Sequence, residues 1–333
     1  MADTLRTLAA MPIVSVVAPM HDEVAIVQAF HARVAAALDG HDWELVVVDD
    51  GSRDGTGEAL ARLAAEDSRV RVISLSRNFG HQAALTAGLD HARGDAVVML
   101  DGDLQDPPEL IPRMIERWRD GAEVVYAVRE ARPGETPFKL VTARWFYRLF
   151  RRLTDVDLAP DSGDFRLMDR RALDALLAMP ERNRFLRGMT VWVGFTQTAV
   201  PFSREARSTG RTKYTLRHML RFAFDAITSF SNRPLQWATM LGFVFSLIAF
   251  LCIPLTIVAR YADIYERGVP STIVIVLLLG GIQLITVGII GEYVGRIYDE
   301  VKHRPLYVVR DRVNAEPPPE RPPLREREPA ERS

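Results

Sequence analysis

Acidic side chains cluster where an apolar run ends at Leu100. Asp101 and Asp103 are separated by one residue, Gln105 follows, and Asp106 comes directly before two prolines. Carboxylate and amide oxygens at a strand end suit a hard divalent cation, which takes oxygen ligands and often bridges to substrate phosphates. A solvated acidic turn has a similar composition. The apolar strand that leads into the pair favours a cation site over such a turn.

A second acidic pair ends an earlier apolar run, in the segment VVVDDGSRDGT. Capping of the next helix accounts for Ser52 and Asp54. It does not account for Asp49 and Asp50, because carboxylates after three valines are costly unless they face a ligand groove. Acidic side chains at such a place suit ribose hydroxyls or a base N–H.

Short β-rich runs alternate with amphipathic stretches from Ile13 to about Tyr126. The predicted strands are IVSVVA, ELVVVDD, RVRVISL, DAVVMLD and EVVYAV, and the predicted helices cover residues 24–38, 55–65, 81–92 and 108–119. Apolar strands that alternate with helices predict a parallel sheet covered on both faces. Ligands of such sheets bind at the carboxyl ends of the strands. Both acidic pairs are therefore expected at one edge of the sheet.

Composition narrows the class of partner. The formal net charge is −1 over 333 residues, so the overall balance gives no argument for nucleic acid as a partner. The single cysteine, Cys252, lies in an apolar stretch, which rules out an intrachain disulfide and indicates a cytosolic working domain. The N-terminal segment lacks a basic region followed by a long apolar core, so we expect a first strand there and no signal peptide.

Two uncharged apolar stretches lie in the C-terminal third. LQWATMLGFVFSLIAFLCIPLTIVA and STIVIVLLLGGIQLITVGIIG are each near the ~20 residues that cross a bilayer. Basic residues flank their outer ends, which by the positive-inside rule places both flanks and the preceding domain in the cytoplasm. Residues 214–232 are typical of an interfacial amphipathic helix, with an ordinary packed helix as the alternative. The Pro-, Glu- and Arg-rich C-terminus predicts a disordered tail over 311–333.

An ordered set of motifs carries a family resemblance. They are VVVDDGSRDGT, SRNFGHQAALTAGLDHARGDAVVMLDGDLQDPPE, DSGDFRLMDRRAL and RSTGRTKYTLRHML, followed by the two apolar stretches. From about Pro12 to Val309 the chain resembles the bacterial polyprenyl-phosphate glycosyltransferases, which are similar to dolichyl-phosphate mannose synthase and belong to the inverting GT-A enzymes of family 2. The resemblance implies a GT-A α/β domain over 1–213, with a Rossmann-like, mostly parallel sheet and helices on both faces. A two-helix membrane anchor with a cytosolic extension would then cover 233–310.

The resemblance also implies ligands and site residues. It implies a UDP- or GDP-sugar donor, a polyprenyl phosphate acceptor, contact with membrane lipids and a homotetramer. Asp101, Asp103 and Gln105 would bind Mg²⁺ or Mn²⁺ against the diphosphate, with Asp103 and the acceptor-side Asp164 as catalytic residues. The implied nucleotide-binding residues are Pro19, Glu23, Asp49, Asp50, Arg77 and Asp101. The implied acceptor phosphate-binding residues are Arg129, Arg144, Arg207 and Lys213.

One loop departs from the family pattern, and one cluster has a simpler explanation. In PMHDEV, His21 and Asp22 stand where relatives more usually have an aromatic residue and an Asn before Glu23. The basic residues around Arg207 and Lys213 would also serve as a cytoplasmic flank attracted to anionic lipid.

The resemblance, with which the acidic turn and the apolar stretches agree, implies transfer of one sugar from a nucleotide to polyprenyl phosphate at the cytosolic face of the plasma membrane, for modification of cell-envelope glycans. A polymer-extending synthase is a second hypothesis, although two spans are few for a product channel. A non-catalytic scaffold or flippase partner is a third, and it predicts decay of Asp101, Asp103 and Asp164, which are all present. The sugar, the base and the lipid length stay open.

Overall fold

A computed structural model describes residues 13–129, 162–202, 233–261 and 269–318. The chain divides into two compact units. The first comprises Met1–Tyr147, Val156–Lys213 and Pro305–Ser333, and the second comprises Arg148–Asp155 and Tyr214–Arg304. The two units are described separately.

The N-terminal part of the first unit alternates strands and helices, as predicted. The elements are β1 (Val14–Met20), α1 (Val27–Ala37), β2 (Trp43–Asp49), α2 (Thr56–Glu66), β3 (Val70–Leu75), α3 (His81–His91), β4 (Ala96–Met99), α4 (Ile111–Arg119) and β5 (Val124–Arg129). Short 3-10 turns, Val24–Ile26 and Pro108–Leu110, precede α1 and α4. All residues of β1 and β3 are buried, as expected for strands covered on both faces.

The remaining elements complete one sheet and add two long helices. They are β6 (Ser162–Asp169), α5 (Arg170–Leu177), α6 (Leu186–Trp192), β7 (Gln197–Phe202), α7 (Arg233–Tyr261), α8 (Val269–Val301) and β8 (Val309–Val313). The strand order is β7-β5-β6-β4-β1-β2-β3-β8. The pairs β4–β1, β1–β2, β2–β3 and β5–β7 are parallel, and the pairs that involve β6 or β8 are antiparallel. The fold is thus the GT-A type of α/β fold, with a mostly parallel sheet.

The antiparallel strand β6 brings a distant carboxylate to the edge of the sheet where β4 ends. In the β4–β6 pair, Ala96 lies opposite Asp169 and Met99 lies opposite Arg166. Continued by two residues, this register places Asp101 opposite Asp164. An antiparallel neighbour begins where its partner ends, so a residue near the start of β6 meets one that follows β4.

Helix α3 lies close against the sheet. A Cβ at Gly88 would be 2.3 Å from Val17 Cγ1 and 3.1 Å from Val48 Cγ2. No side chain fits there, and the small residue lets the helix approach β1 and β2. This packing fixes the position of the helix start at His81, on the same edge of the sheet.

The C-terminal segment returns to the first unit after the two long helices. Strand β8 pairs with β3, Ser76 N donates to Val308 O (2.9 Å), and Tyr307 Oη donates to Asp90 Oδ2 (2.6 Å). Asn314 Nδ2 donates to Val70 O (3.0 Å). The predicted disordered tail over 311–333 is therefore wrong at its start, because charged side chains on an edge strand conceal a strand pattern in the sequence. Residues 319–333 lie outside the described residues.

The second unit contains two helices long and apolar enough to cross a membrane. Leu235–Cys252 has a mean hydropathy of 1.9 and Leu278–Val301 one of 1.5. Their large apolar side chains are exposed, including Phe243 (74%) and Leu284 (75%), so they are not buried within the described part of this chain. The predicted interfacial helix over 214–232 and the connection 262–268 lie outside the described residues.

Candidate active site

The acidic turn after β4 packs tightly against the end of β1. A Cβ at Gly102 would be 2.7 Å from Met20 Cγ and 2.9 Å from Pro19 O, so only glycine fits between the two aspartates. Gln105 N donates to Asp103 Oδ1 (3.0 Å), and Leu104 has a φ of 58°, which is uncommon for a residue with a side chain. The turn is thus held in a specific, strained conformation.

His81 joins this turn to the carboxylate on β6. His81 Nε2 lies 3.4 Å from Asp101 Oδ1 and 3.5 Å from Asp164 Oδ2. The two predicted site carboxylates therefore approach one imidazole at the edge of the sheet. Sequence reasoning gave His81 no role in the site. The signal was available, because His81 directly follows Gly80 at the start of the helix after β3, at the same sheet edge as the aspartates.

Asp164 is held from two helices. Gln82 Nε2 donates to Asp164 Oδ2 (3.1 Å), and Leu186 N donates to Gln82 Oε1 (3.0 Å). From α6, Arg187 approaches Asp164 Oδ1 at 3.5 Å. No sequence pattern marked Gln82 or Arg187, since both contacts depend on how α3 and α6 pack beside β6.

The carboxylates of the cluster have opposite pKa shifts. Loss of solvent raises the pKa of Asp101 to about 6, opposed by the charge of His81 and reinforced by the carboxylates of Asp164 and Asp106. Burial also acts to raise the pKa of Asp164. The hydrogen bond with His81 and the charges of Arg187 and Arg166 outweigh it and hold that pKa well below its usual range.

The pKa of the His81 imidazole is raised by the two carboxylates beside it. Burial acts to lower the pKa of His81, but the hydrogen bond with Asp164 and the charge of Asp101 outweigh it, so the pKa is raised. An ionised Asp164 beside a readily protonated His81 gives the site a fixed pair of charges next to Asp101.

Arginines lie beside this cluster of carboxylates. Arg129 lies 3.4 Å from the buried Asp106, and Arg166 donates to Gly163 O (3.0 Å). Among the described residues, the Nε atoms of Arg129 and Arg166 are buried without a hydrogen-bond partner, whereas that of Arg187 lies 3.5 Å from Asp164 Oδ1. Buried cationic donors without partners favour an anion. Of the predicted acceptor residues, Arg129 is thus brought to the cluster, and Arg144, Arg207 and Lys213 lie outside the described residues.

The earlier acidic pair has a different local environment. Asp50 Oδ1 accepts from Phe79 N (2.7 Å) and Asp50 Oδ2 accepts from Gly80 N (3.0 Å). Asp49 Oδ1 accepts from Ser52 N (2.9 Å). The two side chains are 1% and 3% exposed, and main-chain amides occupy three of their four oxygens. These contacts fix the loops after β2 and β3, and contact with a nucleoside remains a prediction.

The loops after β1, β2 and β3 enclose a cavity of about 410 Å³. His21 Nδ1 lies 2.9 Å from Asp50 O, Glu23 N donates to Thr56 Oγ1 (2.9 Å), and Pro19 is buried at the end of β1. Of the predicted nucleotide residues, Arg77 lines the cavity. The lining that sequence reasoning missed includes His21, Ser52, Arg53, Asn78 and Arg310.

The donor atoms of the acidic turn suit a hard cation. Asp101 and Asp103 supply carboxylate oxygens and Gln105 an amide oxygen, which is the set that Mg²⁺ and Mn²⁺ prefer. The described residues contain no group of three His, Cys, Asp or Glu side chains placed to hold a metal. A cation at the turn would therefore complete its coordination with water or with oxygens of a substrate.

The chain is similar to known glycosyltransferases. The family model described as Glycosyl transferase family 2 matches residues 15–177. The chain is 48% identical over 299 residues to an uncharacterized glycosyltransferase, YkcC, of Bacillus subtilis, covering 89% of this chain and 93% of that one. It is 41% identical over 303 residues to a prophage bactoprenol glucosyl transferase homolog of Escherichia coli, covering 89% and 98%.

One solved structure has a lower sequence identity to this chain than these relatives have. The structure of glucosyl-3-phosphoglycerate synthase from Mycobacterium tuberculosis in complex with UDP is 22% identical, covers 66% of this chain and 79% of its own, and has a TM-score of 0.46.

Proposed function

Because this chain belongs to glycosyltransferase family 2, we propose that it transfers a single sugar, with inversion, from a nucleotide-sugar donor to polyprenyl phosphate. The product is a polyprenyl-phosphate sugar made at the cytosolic face of the membrane. Relatives named bactoprenol glucosyl transferases, 40–41% identical over nearly their whole length, support the class of acceptor.

The observation that carries the proposal is the meeting of Asp101 and Asp164 at one imidazole. It brings a turn suited to a cation and diphosphate within reach of a carboxylate surrounded by arginines. Donor and acceptor phosphates are both anionic, so their reaction requires adjacent sites of this kind. The two membrane-length helices support a lipid-linked acceptor.

On the donor side, Asp101, Asp103 and Gln105 would hold Mg²⁺ or Mn²⁺. Bound there, the cation supplies positive charge to the nucleoside diphosphate as it leaves. Asp49 and Asp50 shape the loops around the nucleoside, with Pro19, Glu23 and Arg77 beside them. Gly102 keeps the acidic turn against β1. The sheet therefore fixes the distance between the site for the nucleoside and the site for the diphosphate.

On the acceptor side, an oxygen of the polyprenyl phosphate attacks the anomeric carbon while the bond to the diphosphate oxygen breaks. A phosphate monoester has a second pKa near ~6 and is largely dianionic at neutral pH, so it needs no base to remove a proton. Asp164 has a lowered pKa and is a weak proton acceptor. Its task is to position His81 and Arg187 and, through them, the acceptor.

Cationic side chains hold the dianion. Arg129 lies within the described cluster, and the resemblance adds Arg144, Arg207 and Lys213. The Nε atom of Arg166, which has no hydrogen-bond partner, adds a donor from β6, and Arg187, which lies beside Asp164, adds positive charge from α6. A homotetramer in the plasma membrane, with the catalytic unit in the cytoplasm, completes the proposal.

The test is incubation of the purified full-length protein with undecaprenyl phosphate and a panel of labelled UDP- and GDP-sugars. We expect one labelled sugar to move to the lipid in the presence of Mg²⁺ or Mn²⁺ and none in EDTA. Transfer to a growing saccharide instead of the lipid phosphate would contradict the proposed acceptor.

A further inference from the structure

One wall of the cavity beside β1, β2 and β3 comes from the far end of the chain. Arg310, in β8, lines this cavity together with Arg53 and Arg77. We propose that Arg310 binds the nucleoside part of the donor, so that the segment after the two long helices completes the nucleotide site. This inference rests on the proposed function and names a residue that neither the motifs nor the family pattern marked.

A β-bulge sets Arg310 apart from its neighbours on the strand. In the β3–β8 pair, Ser74 lies opposite Asp311 and Leu75 lies opposite Val309. One step along β3 thus matches two along β8, and Arg310 is the extra residue. Bulges of this kind redirect a side chain and are common beside active sites. Here the redirected residue is the one that lines the cavity.

The charge of the lining suits an anionic nucleotide. The lining contains three arginines, Arg53, Arg77 and Arg310, and a single acidic residue, Asp22. Arg310 Nε donates to Asp311 Oδ2 (3.0 Å), and within the described part of the chain its terminal nitrogens make no further hydrogen bond. A planar guanidinium with free N–H groups can stack on a base or donate to its carbonyl oxygens.

The order of strands assigns the cavity to the nucleoside and not to the diphosphate. The acidic turn follows β4, and β1, β2, β3 and β8 succeed one another on one side of it. The acceptor carboxylate Asp164 lies on the other side, in β6. Three strand spacings, roughly 14 Å, separate β4 from β3. A diphosphate held at Asp101 therefore extends its nucleoside towards Arg77 and Arg310.

The experiment measures ligand binding and needs no sugar transfer. Dissociation constants for UDP, GDP, UMP, GMP and pyrophosphate are determined calorimetrically with Mg²⁺ on full-length wild type, Arg310→Gln and Arg312→Gln in lipid nanodiscs. Arg312 lies two residues along β8, contacts His91 (3.3 Å) and does not line the cavity, so it is a matched control.

We expect Arg310→Gln to raise the dissociation constants of the preferred nucleoside diphosphate and of its monophosphate by the same factor, about 10-fold, as for loss of one charge-assisted hydrogen bond. The dissociation constant of pyrophosphate should stay at its wild-type value in Arg310→Gln. In Arg312→Gln all dissociation constants should stay at their wild-type values. Unchanged nucleotide binding in Arg310→Gln, or an equal loss for pyrophosphate, would overturn the inference.

Two further outcomes have separate meanings. Should Arg310→Gln fail to fold, as judged by its melting temperature, Arg310→Lys keeps the charge and stem but removes the planar fork. Weakened nucleoside binding in a folded Arg310→Lys protein supports the inference, and wild-type binding overturns it. Failure of the wild-type protein to bind any nucleotide would instead overturn the proposed function.

Discussion

The two strand-end acidic pairs have similar sequences but different environments. Asp49 and Asp50 are buried, and main-chain amides from the adjacent loops satisfy them. In the second pair, Asp101 and Asp103, the first carboxylate shares an imidazole with Asp164 of β6. His81 Nε2 lies 3.4 Å from Asp101 and 3.5 Å from Asp164, and the pKa values of these two carboxyls are shifted in opposite directions. The first pair builds the site. The second cluster presents charge to whatever binds there, so the two should respond differently to substitution.

Removal of the charge of Asp103 should give the largest loss of activity. Asp103→Asn keeps an oxygen to accept from Gln105 N but removes a carboxylate expected to hold the cation. We expect sugar transfer to fall by about 10³-fold or more, in line with loss of electrostatic stabilisation of a leaving group. The melting temperature should stay within a degree or two, because one of several crowded like charges is lost. Near wild-type turnover would place the cation elsewhere.

Substitution of Asp50 should act on stability first. Asp50→Ala leaves the half-buried amides of Phe79 and Gly80 without their acceptor, which costs about 2–4 kcal/mol of unfolding free energy. The free energies of unfolding of Asp50→Ala and Asp103→Asn, measured in denaturant under the same conditions, compare the two acidic pairs directly. If Asp50→Ala were as stable as wild type and bound nucleotide poorly, its role would be ligand contact and not construction of the loop.

Gly51 tests how closely the donor loops pack. It has a φ of 66°, and a Cβ there would be 2.5 Å from the carbonyl carbon of Arg77. Gly40 has a similar φ of 76° with nothing within 4 Å, so Gly40→Ala measures backbone strain alone. We expect Gly51→Ala to cost about 1–3 kcal/mol more than Gly40→Ala. Equal costs would show that the loop after β3 moves aside without loss.

Asp164→Asn should have the smallest effect of the four. Because the acceptor dianion needs no base, turnover should fall by only about 10-fold, by loss of positioning. The lowered pKa of Asp164 keeps the carboxylate ionised well below neutral pH, so wild type and variant should share a shallow profile between about pH 7 and 8. A variant that binds both substrates yet is as inactive as Asp103→Asn would show that Asp164 removes a proton.

Sequence reasoning located the strands and the acidic turn because each depends on a local pattern. The run from Ala96 to Met99 and the aspartates after it are adjacent in the chain, and the carboxyl-end rule fixes their edge of the sheet. The partnership of Asp164 with Asp101 depends on the antiparallel insertion of β6 between β4 and β5, which no local pattern specifies. Arg187 reaches Asp164 through the packing of α6, and Arg310 reaches the cavity through the pairing of β8 with β3, and neither contact is marked by a local pattern. The burial of Asp50 was foreseeable, but its amide partners were not, because they belong to a different loop.

The most direct test of the account is Mn²⁺ binding measured by electron paramagnetic resonance, with and without UDP or GDP. Since the acidic turn offers two carboxylates and no third such ligand in the described chain, we expect weak binding of Mn²⁺ alone and at least 10-fold tighter binding with the nucleoside diphosphate. Asp103→Asn should abolish that gain, whereas Asp164→Asn should retain it. Tight Mn²⁺ binding that is unchanged by the nucleotide and by Asp103→Asn would contradict the claim that this turn binds the cation together with the donor.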